Sequence, residues 1–206
     1  MKRAVSLISL LLAVILMMTG WSSGENPSAN ASVKIAVAIP YVVEGAADEF
    51  RALLEEGLPE LNTDEKKLLV QAVNTGDTVN DPMSAMAGMT KITTMFLGKE
   101  IEIMICDGDN AQRHGEGGKG YMPIDSLFTA GEQAELGIVP LTVSKVDEDG
   151  NATGEMSEAI GISLENCEGV KNIFKMSDLG LYVIAAPETE ANIENVRAAI
   201  RYILSL

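Results

Sequence analysis

The chain has 206 residues, of which 30 are acidic and 15 basic, for a formal net charge of −15 with a single histidine. So acidic a chain is a poor nucleic-acid partner, because phosphate neutralisation supplies most of that affinity, and its charge would not hold it on an anionic membrane surface. Its two cysteines, Cys106 and Cys167, allow one disulfide outside the cytoplasm, or else serve as small buried hydrophobes.

Lys2 and Arg3 precede an apolar run, Ala4 to Met18, that is broken only by two serines and ends in Thr19-Gly20. That order reads as an export signal over residues 1–20. The run is shorter than the roughly 20 apolar residues that span a bilayer. Residues 21–32, WSSGENPSANAS, read as a polar tether. The junction resembles a lipobox, in which small residues lead into a cysteine that becomes diacylated. Here Trp21 stands in that region and the first cysteine is Cys106, so thioether lipidation is chemically impossible there. Cleavage after Ala31, at the small-x-small site Ala29-Asn30-Ala31, is the competing reading. The protein is expected outside the cell or on its surface, touching the membrane only through its N-terminal segment. Residues 33–206, about 175 in all, suit one domain with a proper core.

Val33 to Ile39 (VKIAVAI) is an apolar run ended by Pro40, the pattern of a strand buried on both faces. In AADEFRALLEEGL, Phe50, Leu53, Leu54 and Leu58 recur at helical spacing and Gly57 marks the end. LLVQAVN is a second strand, closing at Asn74 before the turn-rich TGDTVNDP. Asp81 then occupies an N-cap position, Pro82 the first helical position, and Gly98 the position just past the end, which delimits a helix over Met83 to Leu97. IEIMIC is a third strand, running into Asp107. Strand and helix alternate through this half with short connections, which favours right-handed crossovers and a parallel sheet. Further on, Tyr121 to Asp125 reads as a docking segment before a short helix. VPLTVS and AIGISL flank a turn-rich hairpin, VDEDGNATGEMSE. LGLYVIAA is another buried strand, and the last helix carries Ile193, Val196, Ile200, Ile203 and Leu204 on one face.

MTKITTMFLGKEIEIMICDGD is similar to the part of extracellular solute-binding proteins of ABC importers in which a helix ends in Gly and the next strand delivers an Asp to the cleft. GYMPIDSLF and SDLGLYVIAAPETEANIENVRAAIRYIL resemble later segments of the same family. The stretch between Leu127 and Leu179 has room for a hairpin and two short helices, so the likeness is to one lobe or a reduced relative. It implies an α/β fold with a mainly parallel sheet, flanking helices and a small hairpin insertion. It also implies a non-enzymatic protein without cofactor or metal that captures a small polar or cationic solute, with an ABC permease as partner. The alternative is a surface interaction or scaffold protein that kept one lobe and lost the ligand.

In an open parallel sheet, ligands bind beyond the carboxyl ends of the strands, where strand order reverses. That rim would hold Tyr41 after the first strand, Asn74, Thr75 and Asp77 after the second, and Asp107, Asp109 and Asn110 after the third. Other patterns argue for structure. Met83, Met86 and Met89, three apart, fan around a helix by about 60° a step, so core packing is expected in place of a Cu(I) site. Asp147 to Glu158 mimics EF-hand offsets, but Ala152 occupies the position that needs Gly, and a hairpin tip is the better account. RHGEGGKGY lacks both the first Gly and the Ser/Thr of a phosphate loop, and reads as a flexible surface loop able to cover the rim.

Overall fold

The computed structural model describes residues 30–77 and 79–206; the expected export signal and the part of the expected tether before Asn30 lie outside them. Strand β1 (Ala31–Ile39) starts inside the expected tether, so Ala31 and Ser32 belong to the sheet. Ser32 is buried, and its hydroxyl donates to the carbonyl of Leu61. Helix α1 (Ala46–Gly57) and a 3-10 turn at Pro59–Leu61 follow, then β2 (Lys67–Asn74), α2 (Pro82–Leu97) and β3 (Ile103–Cys106). Next come α3 (Gly108–His114), a 3-10 turn at Glu116–Gly118, α4 (Ile124–Leu127) and α5 (Ala130–Glu135). The rest of the chain forms β4 (Pro140–Leu141), β5 (Ser144–Val146), β6 (Ala152–Met156), β7 (Gly161–Ser163), α6 (Glu168–Phe174), β8 (Gly180–Val183), α7 (Pro187–Ala191) and α8 (Ile193–Leu204).

Six strands form one sheet in the order β2-β1-β3-β8-β7-β4, with β5 and β6 paired apart from it. β1 runs parallel to both β2 and β3, whereas β3–β8, β8–β7 and β7–β4 are antiparallel. The sheet is therefore mixed, and the expectation of a mainly parallel one holds only at its β2-β1-β3 end. The reason is that a buried apolar strand such as LGLYVIAA reads the same in either direction, so only the connection sets its sense.

Both faces of the sheet are covered, and alternation along each strand sorts side chains between them. Val33, Ile35, Val37 and Ile39 of β1, with Ile103, Ile105, Leu181 and Val183, join Phe50 and Leu54 of α1, Phe174 of α6, and Val196 and Ile200 of α8. Phe50 meets Phe174 edge-on at 5.3 Å. Ala36 and Ala38, with Met104, Cys106 and Tyr182, face Ile92 and Met95 of α2, Ala111 of α3 and Tyr121. Cys106 and Cys167 belong to opposite clusters and are both free, so no disulfide joins them. Burial pushes the Cys106 thiol well above its ordinary value.

Helix α2 starts and ends as its caps dictate: the Asp81 carboxylate accepts from the Ser84 N–H at 3.2 Å, and Gly98 follows Leu97. Its buried face is Ala85, Gly88, Ile92 and Met95. Met83 and Met86 are 76% and 61% exposed and Met89 is only half-buried, so the core packing expected of these three fails; Met95, further along the helix, is the buried one. A three-residue spacing rotates away from the i, i+4 stripe that meets the sheet.

Candidate functional site

The site is assembled where the three parallel strands end. Gly88 of α2 makes it possible: a β-carbon there would lie 2.3 Å from the Asn74 carbonyl oxygen and 2.8 Å from the Thr75 Cα. Without one, α2 closes onto the end of β2, and Thr75 is held only 2% exposed with its N–H on the Ile39 carbonyl at 2.8 Å. On the far side of β1, Asp107 ends β3 and caps α3, accepting from the Asn110 N–H at 2.8 Å.

Asn110 ties the three strand ends together. Its Nδ2 donates to the Asp107 carboxylate at 3.0 and 3.2 Å, to Thr75 Oγ1 at 3.1 Å, and more weakly to the Ala38 carbonyl at 3.5 Å. Three acceptors on the nitrogen side fix the amide's orientation. Its Oδ1 is then a buried acceptor with no partner, on a residue 3% exposed. Such an atom costs free energy unless a donor reaches it.

Beside this hub lies a cavity of about 260 Å³ lined by Thr75, Gly76, Asp77, Asp107, Asp109 and Asn110, with Pro40 and Arg113 completing its wall. Five of the seven rim residues expected from the sequence line it. Tyr41 does not; it stands 71% exposed in the segment after β1. Nor does Asn74, whose side chain accepts from the Gly76 N–H at 3.1 Å in the turn, and which borders a groove between β2 and α2. The Asp77 carboxylate is largely occupied by its own turn. It accepts from the side chain of Asn80 and from the N–H groups of Asn80 and Val79, bonds that hold it below the usual carboxylate range.

Arg113 is the charged lining residue that sequence reading missed. Treated as part of a Gly-rich loop, it had no place; on α3 it lies four residues after Asp109, on the same face. The signal was an Asp-x-x-Asn start, Asp107 to Asn110, which is an N-cap in waiting. Among the described residues no ion pair engages Asp109 or Arg113, and an Arg113 Nη1 contact at 3.2 Å goes to the Met89 thioether.

The same two residues also line a second space, a trough of about 640 Å³ that continues past Gln112, Glu116 and Gly117 to Val146 and Gly150 of the β5–β6 hairpin. The Gly-rich stretch is thus packed under the hairpin and does not arch over the rim. Gly117 has φ +68°, and a β-carbon on it would come within 2.7 Å of the Val146 nitrogen. Gln112 fastens the hairpin to α3, its amide donating to the Ser144 carbonyl at 2.9 Å and accepting from the Ser144 N–H at 2.6 Å. A third space, about 470 Å³ between Lys119, Lys145 and Ser157, adjoins the trough at Gly117 and Val146 but holds no residue of the strand-end hub. The hairpin tip is a turn built on Asp147, which accepts from the N–H groups of Asp149 and Asn151. Among the described residues no group of three His, Cys, Asp or Glu side chains is placed to hold a metal ion, and no helix is long and apolar enough to cross a membrane.

The cavity lining is rich in hydrogen-bond acceptors, with the carboxylates of Asp77, Asp107 and Asp109 and a single guanidinium, Arg113. Comparison of the chain with protein-family models, with curated proteins and with solved structures finds no match.

Proposed function

We propose that the protein is an exported, non-enzymatic cell-surface receptor, akin to one lobe of the solute-binding proteins of ABC importers, that captures a small polar or cationic solute and presents it to a membrane permease. The observation that carries this reading is the cavity at the strand ends, lined by Asp107, Asp109, Thr75 and Asn110, the residue that ties the three strand ends together. Its position agrees with the rule that ligands of open α/β sheets sit beyond the carboxyl ends of the strands, where successive connections leave for opposite faces. Here α1 packs on one face, and α2 and α3 on the other.

Thermal unfolding of the purified protein against amino acids, polyamines, sugars, nucleosides and divalent cations tests it. A ligand at a hundred times its dissociation constant adds about 2.7 kcal/mol to stability, and the gain should vanish in Asp109→Ala. Silence across the panel would sink the receptor reading. The competing reading, an interaction protein without a ligand, draws on the exposed apolar side chains Tyr41, Val79, Met83 and Met86. It predicts that silence, together with loss of a partner when Met83 and Met86 become Ser.

A further inference from the structure

We infer that the protein forms a twofold dimer through the outer edge of β2: the strand pairs antiparallel with β2 of a second copy, and the uncharged flank of α2 meets its counterpart above the joint. This surface is separate from the strand-end cavity, and the inference stands whether or not that cavity takes a ligand.

The two edges of the six-stranded sheet are built differently. At one end β4 is two residues long and begins with Pro140, the kind of short, proline-bearing edge that resists pairing with other chains. At the other end β2 runs for eight residues, KLLVQAVN, without Pro and with its only charge, Lys67, at its start. From Leu68 to Asn74 it follows β1 in unbroken register, so no bulge twists the edge away. Among the described residues nothing pairs with its outer side, which leaves alternate N–H and C=O groups without a sheet partner. Leu69, Gln71 and Ala72 are only half-buried there.

An occupant of that edge has to be an extended strand, and the surface beside it selects a second copy. A groove of about 280 Å³ between β2 and α2 is lined by Ala72 and Val73 on one side and Ala87 and Lys91 on the other. Beyond it α2 exposes Met83, Ala87, Thr90, Thr94 and Leu97, at alternating spacings of four and three residues, the a/d seam of paired helices. The Thr90 and Thr94 hydroxyls donate to the Met86 and Thr90 carbonyls at 2.9 Å, so the helix itself satisfies them. Lys91 is the only charge between Pro82 and Gly98, in a chain with 30 acidic residues. Two copies of net charge −15 repel each other over most of their surface, and this neutral corner is where they can approach. A twofold axis perpendicular to the sheet sets edge strand against edge strand and helix flank against helix flank, so one copy supplies what the other lacks.

The same symmetry fixes the register. Side chains alternate between the faces of a strand, so the two α2 helices share a face only if each β2 residue meets one of its own parity. An axis at Gln71 pairs Leu69 with Val73 of the second copy and leaves Lys67 past that copy's strand end, near its Asp77 turn. An axis at Val70 would instead lay Lys67 across the buried Val73.

Sedimentation velocity of the full chain over a concentration series tests the dimer. A reversible monomer–dimer equilibrium that tightens with added salt is expected, because screening relieves the repulsion between copies. Gln71→Lys sets like charges face to face at the axis and should weaken the dimer at least tenfold, although it lowers the net charge. Val139→Lys, the same change of charge at an exposed residue before β4, should not weaken it. Under oxidation Gln71→Cys should link two chains, whereas Leu69→Cys, held about 13 Å along the strands from its copy, should not. Cys106 and Cys167 are buried and give no background. Unfolding midpoints measured at a dilution where the wild type is monomeric confirm that the variants fold, and Gln71→Cys carries the test if Gln71→Lys does not. A monomer at every concentration would overturn the inference, and so would an open-ended series of larger species. A dimer that ignores Gln71→Lys and is not linked through Gln71→Cys would place the association on another surface, the N-terminal segment included, and overturn it equally.

Discussion

Asn110 spends its amide nitrogen on acceptors from three different strand ends, so its loss is felt at each of them. Asn110→Ala strips two of the hydrogen bonds reaching the buried Asp107 carboxylate and the one reaching Thr75 Oγ1. A buried acceptor left short of donors costs about 1–3 kcal/mol. The variant should therefore unfold at lower urea with an unchanged m-value; an unchanged midpoint would mean that the hub is not structural. At this scale the sequence was informative where a residue type had one plausible job. Asp107, Asp109, Asn110, Thr75 and Asp77 could be placed because turn residues after a buried strand have nowhere to go but its carboxyl end. Tyr41 and Asn74 satisfied the same rule and still fell outside the cavity: the first points into solvent, and the second bonds its own turn. Strand position fixes which end of the sheet a residue reaches, but not the direction of its side chain.

Among the elements, α2 and the hairpin decide the shape of the site, and each depends on one close approach. Gly88→Ala drives a β-carbon into the Asn74 carbonyl, a backbone atom that cannot step aside. Helix α2 must move off β2, and overpacking of this kind costs about 1–3 kcal/mol. Asp81→Ala removes only the cap of the same helix and should cost about 1 kcal/mol. Urea midpoints of the two variants separate the effects, because only Gly88→Ala should also weaken ligand binding by shifting Thr75. The hairpin is a two-stranded ribbon, marginal on its own. Its tie to α3 is the Gln112 amide on both backbone groups of Ser144, so Gln112→Ala should raise the rate of proteolytic cleavage between Asp147 and Asn151 with little change in global midpoint. Helix α2 was legible to within one residue, expected over Met83–Leu97 and found over Pro82–Leu97, because Asp81-Pro82 and Gly98 are unambiguous start and stop chemistry. Helix α3 was not, since seven residues rich in polar side chains offer no periodicity, and Gly115 to Gly120 disguised its end. The antiparallel sense of β8 was illegible for the reason that makes it a good core strand, an unbroken apolar run without a preferred face.

For the whole molecule, the net charge of −15 makes the response to acid informative, and Glu132 and His114, both lowered from their ordinary values, report on it in separate pH windows. Glu132 links α5 to α8. Its carboxylate accepts from the backbone and hydroxyl of Thr129, and its Oε1 receives Arg197 and Arg201 at 2.8 and 2.7 Å, both guanidinium groups lying over the Phe128 ring. The Thr129 bonds first, and then the arginines, lower it from 4.5 to about 2. A carboxylate depressed in the folded state stabilises it above the unfolded value, and that contribution fades as pH falls from 4.5 towards 2. His114 acts in a higher window. It stacks on Phe96 with its Nε2 buried and unpartnered, and burial, reinforced by the charge of Arg113, lowers it from 6.5. The unfolded chain then takes up the proton first, so stability falls as pH drops below 6.5. Protonation of the many surface carboxylates relieves their mutual repulsion over much of the same range, so the wild-type curve mixes opposing trends. Differences between variants and wild type cancel that shared background. The midpoint of His114→Phe relative to wild type should rise as pH falls below 6.5 and level off once the ring is protonated in the folded state as well, whereas that of Glu132→Gln should rise only below 4.5. Both follow from urea titrations at stepped pH. Parallel curves in the upper window would show that His114 titrates in the folded protein as it does in the unfolded chain, and that its ring is reached by water.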